Sequence, residues 1–486
     1  MTAFGARFHE REHYAPSSTY RLAPFRFGRL DERRYIVTND VGEYVLLSRE
    51  HLFAFARREL PTSSAAYKSL KSRHFLFDED SESALDLLAL KVRTRAERIA
   101  AFTGLHIFVV TLRCDHSCHY CQVSRQTAEK SAFDMSKEHA DRALDFTFRS
   151  PATNIKIELQ GGEPLLNFDL VRYIVEQGAE RGRALKKNLQ FVIATNLSRL
   201  DDEVLAFCKR YEICLSTSLD GPKDLHNHHR PILGEDSHAL AVEGIRRVRR
   251  SLGPDFISAL MTTTPASLDR VEEIIDECVR QEFHSIFLRA LSPYGFAVRT
   301  SLVRKYGVED WLAFYKRGLA YILDVNRRGY VLREDYTAIL LQKLFSPGGS
   351  SYVDLQSPAG IGIGAVVFNY DGAVYASDEG RMLAEMGDQS FRLGHLASDS
   401  YEAIMMSDAL LDPLEATVLE SAPMCTDCPF LPYCGADPVF HQATLGDPVG
   451  HKAFSAFCTK QMGVVRHVVA LLEDDPEARR ILMGWV

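Results

Sequence analysis

The chain has 486 residues, of which 46% are hydrophobic and 25% are charged. This composition excludes disordered, collagen-like and coiled-coil proteins, and the length predicts about two to four domains. The formal net charge of -8 argues against a general polyanion-binding role, so we expect no nucleic-acid partner.

The sequence also predicts where the protein resides. It contains no run of about 18 apolar residues, so we expect no membrane span and no membrane partner. Charges near the amino terminus do not fit a signal peptide. We therefore expect a cytoplasmic protein whose 10 cysteines are not paired in disulfides.

Residues 20–95 predict a small α+β unit. Short strands are expected at 25–27, 35–37 and 43–47, where apolar residues are bounded by turn signals. Ser48 is expected to cap a helix that begins at Arg49.

From residue 105 the pattern changes to alternating strands and helices. Strands are predicted at 107–112, 155–159, 191–194, 213–218, 256–261 and 286–290. Helices are predicted between them at 136–148, 169–181, 202–211, 238–251 and 268–281. Six βα repeats predict an α/β fold with a parallel sheet, either a partial barrel or an open sheet. An active site is expected at the carboxyl ends of these strands.

The last third of the chain reads differently. Residues 308–328 predict one long amphipathic helix, and a Gly/Ser/Pro stretch at 346–351 marks a boundary. Asp371-Gly372 between apolar residues predicts a hairpin at 368–375. The predicted units are therefore an α+β unit at 1–100, a βα region at 101–300, a bridging helix at 301–345 and a loop-rich domain at 346–486.

A tight cysteine cluster follows the first βα strand. Cys114, Cys118 and Cys121 have the spacing C-x3-C-x2-C. Three thiolates from one loop can hold one metal centre and leave one coordination position open, which suits a reactive centre. Zinc sites usually combine two C-x2-C pairs, and no second pair lies nearby in the sequence.

Two motifs together carry a resemblance to a known family. Tyr120 is the aromatic residue of C-x3-C-x-(aromatic)-C, and a second motif, Gly161-Gly162-Glu163-Pro164, follows the second strand. The chain resembles radical S-adenosylmethionine (SAM) enzymes. This resemblance implies a partial (β/α)6 barrel, a [4Fe–4S] cluster on the three cysteines, and S-adenosyl-L-methionine at its open iron. It also implies that the GGEP segment accepts hydrogen bonds from the methionyl amine.

The resemblance implies further cofactor contacts. Asn196 and Ser218 follow or end strands where the family contacts ribose and methionine. Arg230 follows an SLDGP-x-x-x-H segment and could pair with the methionine carboxylate. The alternative for each of these polar residues is a loop cap or a solvated charge.

A second cysteine set lies near the carboxyl terminus, at Cys425, Cys428, Cys434 and Cys458. Four thiolates satisfy a closed site, and their spacing alone also fits a zinc ribbon. Beside a radical SAM core, the set resembles the SPASM/twitch extension, which carries auxiliary clusters. The sequence departs from the fuller SPASM pattern because Pro438 and Ser377 stand at two cysteine positions. The resemblance therefore implies one auxiliary [4Fe–4S] cluster and two clusters in all, with zinc as the alternative.

The resemblance also implies a substrate class. The whole chain is most similar to the B-type radical maturase of the His-Xaa-Ser peptide system and to cyclophane-forming maturases of ribosomally made peptides. These enzymes cross-link or oxidise side chains with a 5′-deoxyadenosyl radical. The implied partners are a precursor peptide, a flavodoxin or ferredoxin as electron donor, and a second maturase of the same system. Residues 20–95 resemble leader-binding domains, which take up a peptide by strand addition.

Two other functions stay open at this point. One is formylglycine formation in sulfatases, although the inner auxiliary cysteines are missing. The other is a non-catalytic metal-binding scaffold that recognises peptides, although the open three-cysteine site argues against it. In formylglycine-forming relatives an aspartate beside an inner auxiliary cysteine takes the substrate proton. Asp378, beside Ser377, is the corresponding candidate base, and its alternative role is to cap a turn or pair with Arg381.

Overall fold

The protein is described here from a computed structural model, which covers residues 20–79, 81–97, 99, 102–346, 350 and 352–486. The predicted boundary at 346–351 lies mostly outside these residues, as do residues 1–19 of the predicted first unit.

The amino-terminal unit contains the three predicted strands and the predicted helix start. Its elements are β1 (Arg21–Leu22), β2 (Arg26–Arg29), β3 (Arg34–Thr38), β4 (Tyr44–Ser48), α1 (Arg49–Ala56), α2 (Ala65–Ser72), β5 (Leu76–Phe77) and α3 (Glu82–Ala96). Strands β2, β3 and β4 pair in that order and antiparallel. The Ser48 hydroxyl accepts a hydrogen bond from the His51 N–H, which caps α1 as expected.

The βα region follows. Its strands are β6 (Leu105–Thr111), β7 (Arg113–Cys114), β8 (Gln126–Thr127), β9 (Asn154–Gly161), β10 (Asn188–Ala194), β11 (Cys214–Ser218), β12 (Ile257–Thr262), β13 (Ser285–Ile286) and β14 (Leu288–Arg289). Its helices are α4 (Lys137–Arg149), α5 (Phe168–Ala184), α6 (Asp202–Tyr211), α7 (Lys223–His229), α8 (Ser237–Ser251) and α9 (Val271–Arg280).

The local sequence explains these elements. Phe108, Val109 and Val110 in β6 are fully buried, as expected for a parallel strand covered on both faces. Helices begin where short polar side chains can accept backbone N–H groups. The Asp201 carboxylate, for example, accepts the N–H of Val204 at the start of α6.

The remaining elements belong to the carboxyl-terminal third. Its helices are α10 (Phe296–Arg299), α11 (Val308–Arg327), α12 (Asp335–Phe345), α13 (Asp378–Ala384), α14 (Tyr401–Met405), α15 (Asp408–Ala416), α16 (Pro438–Leu445), α17 (Ala456–Asp474) and α18 (Pro476–Met483). Its strands are β15 (Arg333–Glu334), β16 (Ala365–Phe368), β17 (Ala373–Tyr375) and β18 (Arg392–His395). Within the described residues, no helix is both long enough and apolar enough to span a bilayer.

One large sheet organises the molecule. Its strand order is β14-β12-β11-β10-β9-β6-β16-β17-β18. The strands from β14 to β16 pair in parallel, and β16, β17 and β18 pair antiparallel. The predicted α/β class and the parallel core are therefore confirmed. The predicted hairpin is also present, but it extends the barrel sheet because β16 pairs directly with β6.

The amino-terminal sheet is docked on the loop that carries the late cysteines. The Thr38 hydroxyl donates to the Pro429 carbonyl at 2.8 Å, and the Tyr433 hydroxyl donates to the Gly42 carbonyl at 2.9 Å. A Cβ on Gly28 would lie 2.8 Å from the Pro429 ring. The amino-terminal unit and this cysteine loop therefore form one packed interface.

Candidate active site

The first cysteine cluster lies at the carboxyl end of the parallel sheet. Cys114 ends β7, and Cys118 and Cys121 follow on one loop, all three half-buried. The Cys121 carbonyl accepts the N–H of Phe296 at 2.7 Å, which anchors the loop from outside. Burial raises the pKa of the Cys118 thiol to about 12. The three thiols form a donor set that fits a cluster with one open position.

The GGEP segment packs on the backbone that leads into this loop. A Cβ on Gly161 would lie 1.9 Å from the Thr111 carbonyl oxygen, and one on Gly162 would lie 2.2 Å from that of Arg113. The Gly162 N–H donates to the Thr111 carbonyl at 2.8 Å, and the N–H of Glu163 donates to that of Arg113 at 2.7 Å. Only glycine allows this approach, so the predicted motif is held directly beside the cysteine loop. This glycine cradle, formed by Gly161 and Gly162 on the backbone before the cysteines, fits the expected S-adenosyl-L-methionine.

Glu163 joins the GGEP segment to the end of β10. Its carboxylate is fully buried. One oxygen accepts from the Thr195 hydroxyl at 2.7 Å and from the Leu165 N–H at 3.0 Å. The other accepts from the Asn196 N–H at 2.8 Å. Burial raises the pKa of Glu163 to about 7 even though these hydrogen bonds favour the charged form.

Asp115 lies inside the cysteine motif and is the centre of a second hydrogen-bond network, which the sequence analysis missed. Its carboxylate accepts from the His116 ring at 2.9 Å, the Asn196 amide at 2.9 Å, the Ser198 hydroxyl at 2.7 Å and the Arg199 Nε at 2.9 Å. Burial acts to raise the pKa of Asp115, but the hydrogen bonds, that of His116 foremost, lower it well below its usual value. Asn196 is thereby tied to the cysteine loop.

The atoms of Cys114, Asp115 and His116 lie within 4.8 Å of one another. This closeness alone could suggest a small metal site. The Asp115 carboxylate already accepts four hydrogen bonds. We therefore interpret the cluster of Cys114, Asp115 and His116 as a structural contact and not as a metal site. A signal for it was present in the sequence, because Asp115 and His116 lie between Cys114 and Cys118.

Arg230 and Tyr120 meet at a carboxylate that was also missed, Asp220. Asp220 is fully buried and accepts the Tyr120 hydroxyl at 2.5 Å and the Arg230 Nε at 2.8 Å. The Arg230 guanidinium also lies over the Tyr120 ring, 5.2 Å from its centroid. Burial acts to raise the pKa of Asp220, but Arg230, His229 and His226 together outweigh it and hold that pKa far below its usual value.

The other predicted residues occupy separate positions. Ser218 ends β11, half-buried, opposite Leu260 of β12. Asp378 begins α13, and its carboxylate accepts from the Arg381 Nε at 3.0 Å, the alternative role considered from the sequence. Asp378 lies near the sheet, because it raises the pKa of Glu158 in β9 further after burial has raised it.

The late cysteines are brought together from two elements. Cys425, Cys428 and Cys434 lie on the loop before α16, and Cys458 lies in the first turn of α17. Burial, together with the neighbouring Cys428 and Cys425, raises the pKa of Cys458 to about 11. The Cys458 thiol therefore lies near those of Cys428 and Cys425.

Comparison with known sequences identifies one region of the chain. Residues 108–278 match the Radical SAM superfamily model. An uncharacterized protein of Methanocaldococcus jannaschii is 28% identical over 188 residues, which are 38% of this chain and 62% of that protein. The radical SAM cyclopropyl synthase TigE of Paramaledivibacter caminithermalis is 19% identical over 156 residues, 29% of this chain and 32% of TigE. The matches therefore span less than two thirds of these relatives.

Solved structures match over more of the chain. Native anSMEcpe with bound AdoMet has a TM-score of 0.63 at 15% identity, covering 79% of this chain and all of that chain. Streptococcus suis SuiB bound to the precursor peptide SuiA has a TM-score of 0.52 at 14% identity, covering 90% of this chain and 99% of that one. At such identities these matches show the fold alone. Residues 108–278 therefore match the Radical SAM superfamily model, and the solved structures share the fold around them.

Proposed function

We propose that this radical SAM enzyme modifies a ribosomally made precursor peptide, as a maturase similar to the B-type enzyme of the His-Xaa-Ser system. The observation that carries the proposal is the three-cysteine loop locked against the glycine cradle at the carboxyl end of the sheet. When bound there, a [4Fe–4S] cluster with S-adenosyl-L-methionine supplies a 5′-deoxyadenosyl radical for hydrogen abstraction.

The chain's own residues have distinct roles in this proposal. Cys114, Cys118 and Cys121 hold the cluster. Carbonyl oxygens of the Gly161–Pro164 segment accept the methionyl ammonium, since the glycines expose the backbone there. Asn196 and Ser218 face the ribose and methionine, and Arg230, oriented by Asp220, receives the methionine carboxylate.

We also propose that Cys425, Cys428, Cys434 and Cys458 hold an auxiliary [4Fe–4S] cluster. Zinc with Zn–S bonds of about 2.3 Å holds its sulfurs about 3.8 Å apart. Among the described residues, neither cysteine set brings three sulfurs within 4.8 Å of one another. This wider spacing supports a larger centre, which could accept the electron that substrate oxidation leaves.

The amino-terminal unit supports a peptide substrate. Strands β2 and β4 are the outer strands of its sheet, and an outer strand can add a peptide strand. Helix α3 exposes apolar side chains beside this sheet, with Leu85 50% and Leu90 57% accessible. We propose that this unit binds the leader of the precursor. The precursor named with SuiB and the cyclopropyl synthase name of TigE are consistent with this proposal.

Asp378 is the proposed proton acceptor. A cross-link or an oxidation removes a hydrogen atom and a proton from the substrate, so a carboxylate near the sheet end is required. Asp378 lies near Glu158 of β9, which supports this position. Its pairing with Arg381 is compatible with an ionised carboxylate.

The test is anaerobic co-expression with the small peptide encoded beside the gene, followed by mass spectrometry and assay of 5′-deoxyadenosine. We expect a loss of about two mass units per modified site, with a flavodoxin or ferredoxin as electron donor. Replacement of Cys114, Cys118 or Cys121 by Ala should abolish both products. Cys214→Ala, a half-buried cysteine of β11, is the matched control. Modified sulfatase peptide would instead favour the formylglycine function, and a complete absence of 5′-deoxyadenosine would favour the scaffold.

A further inference from the structure

A charged cavity of about 320 Å³ lies between the end of the parallel sheet and the carboxyl-terminal region. One wall is the segment 287–294, which contains β14. The lining also includes three carboxylates, those of Asp354, Glu379 and Asp437, together with Lys460. None of these four side chains has a role in the contacts described above.

The carboxylates in the cavity outnumber the cations. Asp354, Glu379 and Asp437 share the lining with two cations, Arg289 and Lys460. The Arg289 guanidinium is 4.0 Å from Glu379, and no salt bridge among the described residues joins Lys460 to a cavity carboxylate. Burial, together with the nearby Asp354, Asp378 and Asp437, raises the pKa of Glu379 to about 8. The cavity therefore has three carboxyl groups against two cations, and near neutral pH Glu379 keeps a proton that a bound cation would displace.

Two buried donors at the cavity are also without partners. Tyr294 is 1% accessible, lines the cavity, and its hydroxyl has no hydrogen-bond partner among the described residues. Burial raises the pKa of Tyr294, and Asp437, Glu379 and Asp354 raise it further, as expected for groups that line the same cavity. The Trp311 Nε1 is likewise unpartnered at the cavity wall. An unsatisfied buried donor in a charged cavity indicates a missing ligand.

The cavity walls favour an organic cation over a metal ion. Among the described residues, the cavity carboxylates form no group whose oxygens all lie within 4.8 Å of one another, so one metal ion would not reach them together. Aromatic rings supply much of the lining, from Phe287, Tyr294, Trp311, Tyr336, Tyr352 and Phe440. Aromatic faces and carboxylates together recognise an ammonium or guanidinium group.

We propose that this cavity binds a lysine or arginine side chain of the peptide substrate, with the three carboxylates as its counter-charge. This inference rests on the proposed function and names a specificity determinant for it. The Tyr294 hydroxyl and the Trp311 Nε1 donate to carbonyl oxygens of the same peptide segment.

The position of the cavity suits this role. The wall segment continues into Gly295 and Phe296, where a Cβ on Gly295 would lie 2.6 Å from the Cys121 carbonyl oxygen. Leu291 and Ala297 pack with the buried ring of Tyr120. A basic side chain held here is therefore anchored on the segment that touches the cysteine loop, which positions the neighbouring peptide residues at the reacting centre.

The experiment has two arms on the reconstituted full-length protein. In the first, ligand-observed NMR follows binding of N-acetyl-arginine N-methylamide and of its norleucine analogue. We expect binding of the arginine probe alone, lost in Glu379→Gln and Asp437→Asn and kept in Asp412→Asn, an exposed carboxylate of the same region. In the second, each lysine and arginine of the precursor core is replaced by glutamine. We expect kcat/KM to fall about tenfold or more for one of them, and this loss to shrink to about twofold or less in Glu379→Gln.

The outcomes separate this inference from the proposed function. Binding of the arginine probe without modification of any peptide would retain the cavity as a cation site and reject the peptide-maturase function. Modification of a core that lacks lysine and arginine, or losses that persist unchanged in Glu379→Gln and Asp437→Asn, would overturn the inference and leave the maturase function intact. Circular dichroism and cluster absorbance of each variant confirm that it is folded and loaded.

Discussion

The Tyr120 hydroxyl and the Arg230 guanidinium both donate to the same oxygen of Asp220, at 2.5 Å and 2.8 Å. One buried carboxylate thus joins the aromatic residue of the cysteine motif to a residue that follows α7. The position of the cysteine loop depends on this pair of hydrogen bonds as well as on the strand that precedes it.

Replacement of Asp220 by Asn should destabilise the protein by about 3–5 kcal/mol, because it leaves Arg230 buried without its counter-charge. We also expect weaker binding of S-adenosyl-L-methionine. Thermal unfolding and calorimetric titration measure the two effects. Asp224→Asn is the matched control, since its exposed ion pair with Arg270 is worth less than about 1 kcal/mol. Equal losses in both variants would contradict the role of Asp220.

Gly162→Ala should displace the cysteine loop. Its Cβ would lie 2.2 Å from the Arg113 carbonyl oxygen, which is backbone and cannot move without Cys114. We expect loss of iron from the first cluster and loss of 5′-deoxyadenosine formation. Gly104→Ala, directly before β6, would meet only the Asn154 carbonyl oxygen at 3.6 Å and should behave as the wild type. Full activity of Gly162→Ala would show that the close packing of Gly162 on Arg113 is not needed to position the cysteine loop.

Iron analysis tests the two proposed clusters. The reconstituted wild type should contain about eight irons per chain, and Cys434→Ala about four. The variant should lose modified peptide while it still cleaves S-adenosyl-L-methionine, because the first cluster lies on another loop. Cys208→Ala, at a fully buried cysteine of α6, should keep all the iron. Stoichiometric zinc in the wild type would refute the auxiliary cluster.

Asp378→Asn separates a catalytic role from a structural one. If Asp378 takes the substrate proton, the variant should form 5′-deoxyadenosine with peptide present but yield little modified product. A purely structural Asp378 would lower both together, since its loss leaves the buried Arg381 without a counter-charge. Asp388→Asn, whose carboxylate accepts hydrogen bonds from Ser390 and Gln442, serves as the control.

The free energy of unfolding should decrease as the pH rises from about 4.5 to about 7, which are the ordinary and the folded pKa values of Glu334. Burial raises the pKa of this fully buried carboxyl to about 7, from its usual value near 4.5. Between these two values the folded protein keeps a proton that the unfolded chain has lost, so raising the pH removes up to about 3 kcal/mol of stability. Glu334→Gln should therefore lose less thermal stability between about pH 5 and about pH 8 than the wild type. The exposed Glu203→Gln should show the full decrease.

Local patterns in the sequence predict much of the fold. The helix expected at 202–211 is present as Asp202–Tyr211, because a capping aspartate precedes a regular apolar stripe. The strand expected at 286–290 is instead divided into β13 and β14, which pair with different neighbours. The cause is distant in sequence: the buried Glu334 carboxylate accepts the N–H of Leu288. An apolar run alone does not specify its pairing partner.

The candidate site was likewise predictable from local motifs but not in its long-range contacts. The cysteines and the GGEP segment are dense local motifs, so the sequence predicts them. Asp115 bonds to Asn196, 81 residues away, and Asp220 bonds to Tyr120, 100 residues away. The place of Asp115 between the cysteines marks the residue but does not reveal such a distant partner. The charged cavity draws Asp354, Glu379 and Asp437 from three separate segments, and only the folded chain places them together.

The docking of the amino-terminal sheet on the cysteine loop has a consequence for synthesis. Thr38 and Pro429 are bonded across 391 residues, and Arg26 reaches Thr426 across 400. Because a chain is made from its amino terminus, residues 20–97 leave the ribosome long before their docking surface exists. The face around Gly28 stays in water until the loop at 425–434 has been translated. A nascent or prematurely terminated chain therefore carries this face uncovered, and only the finished polypeptide can close it.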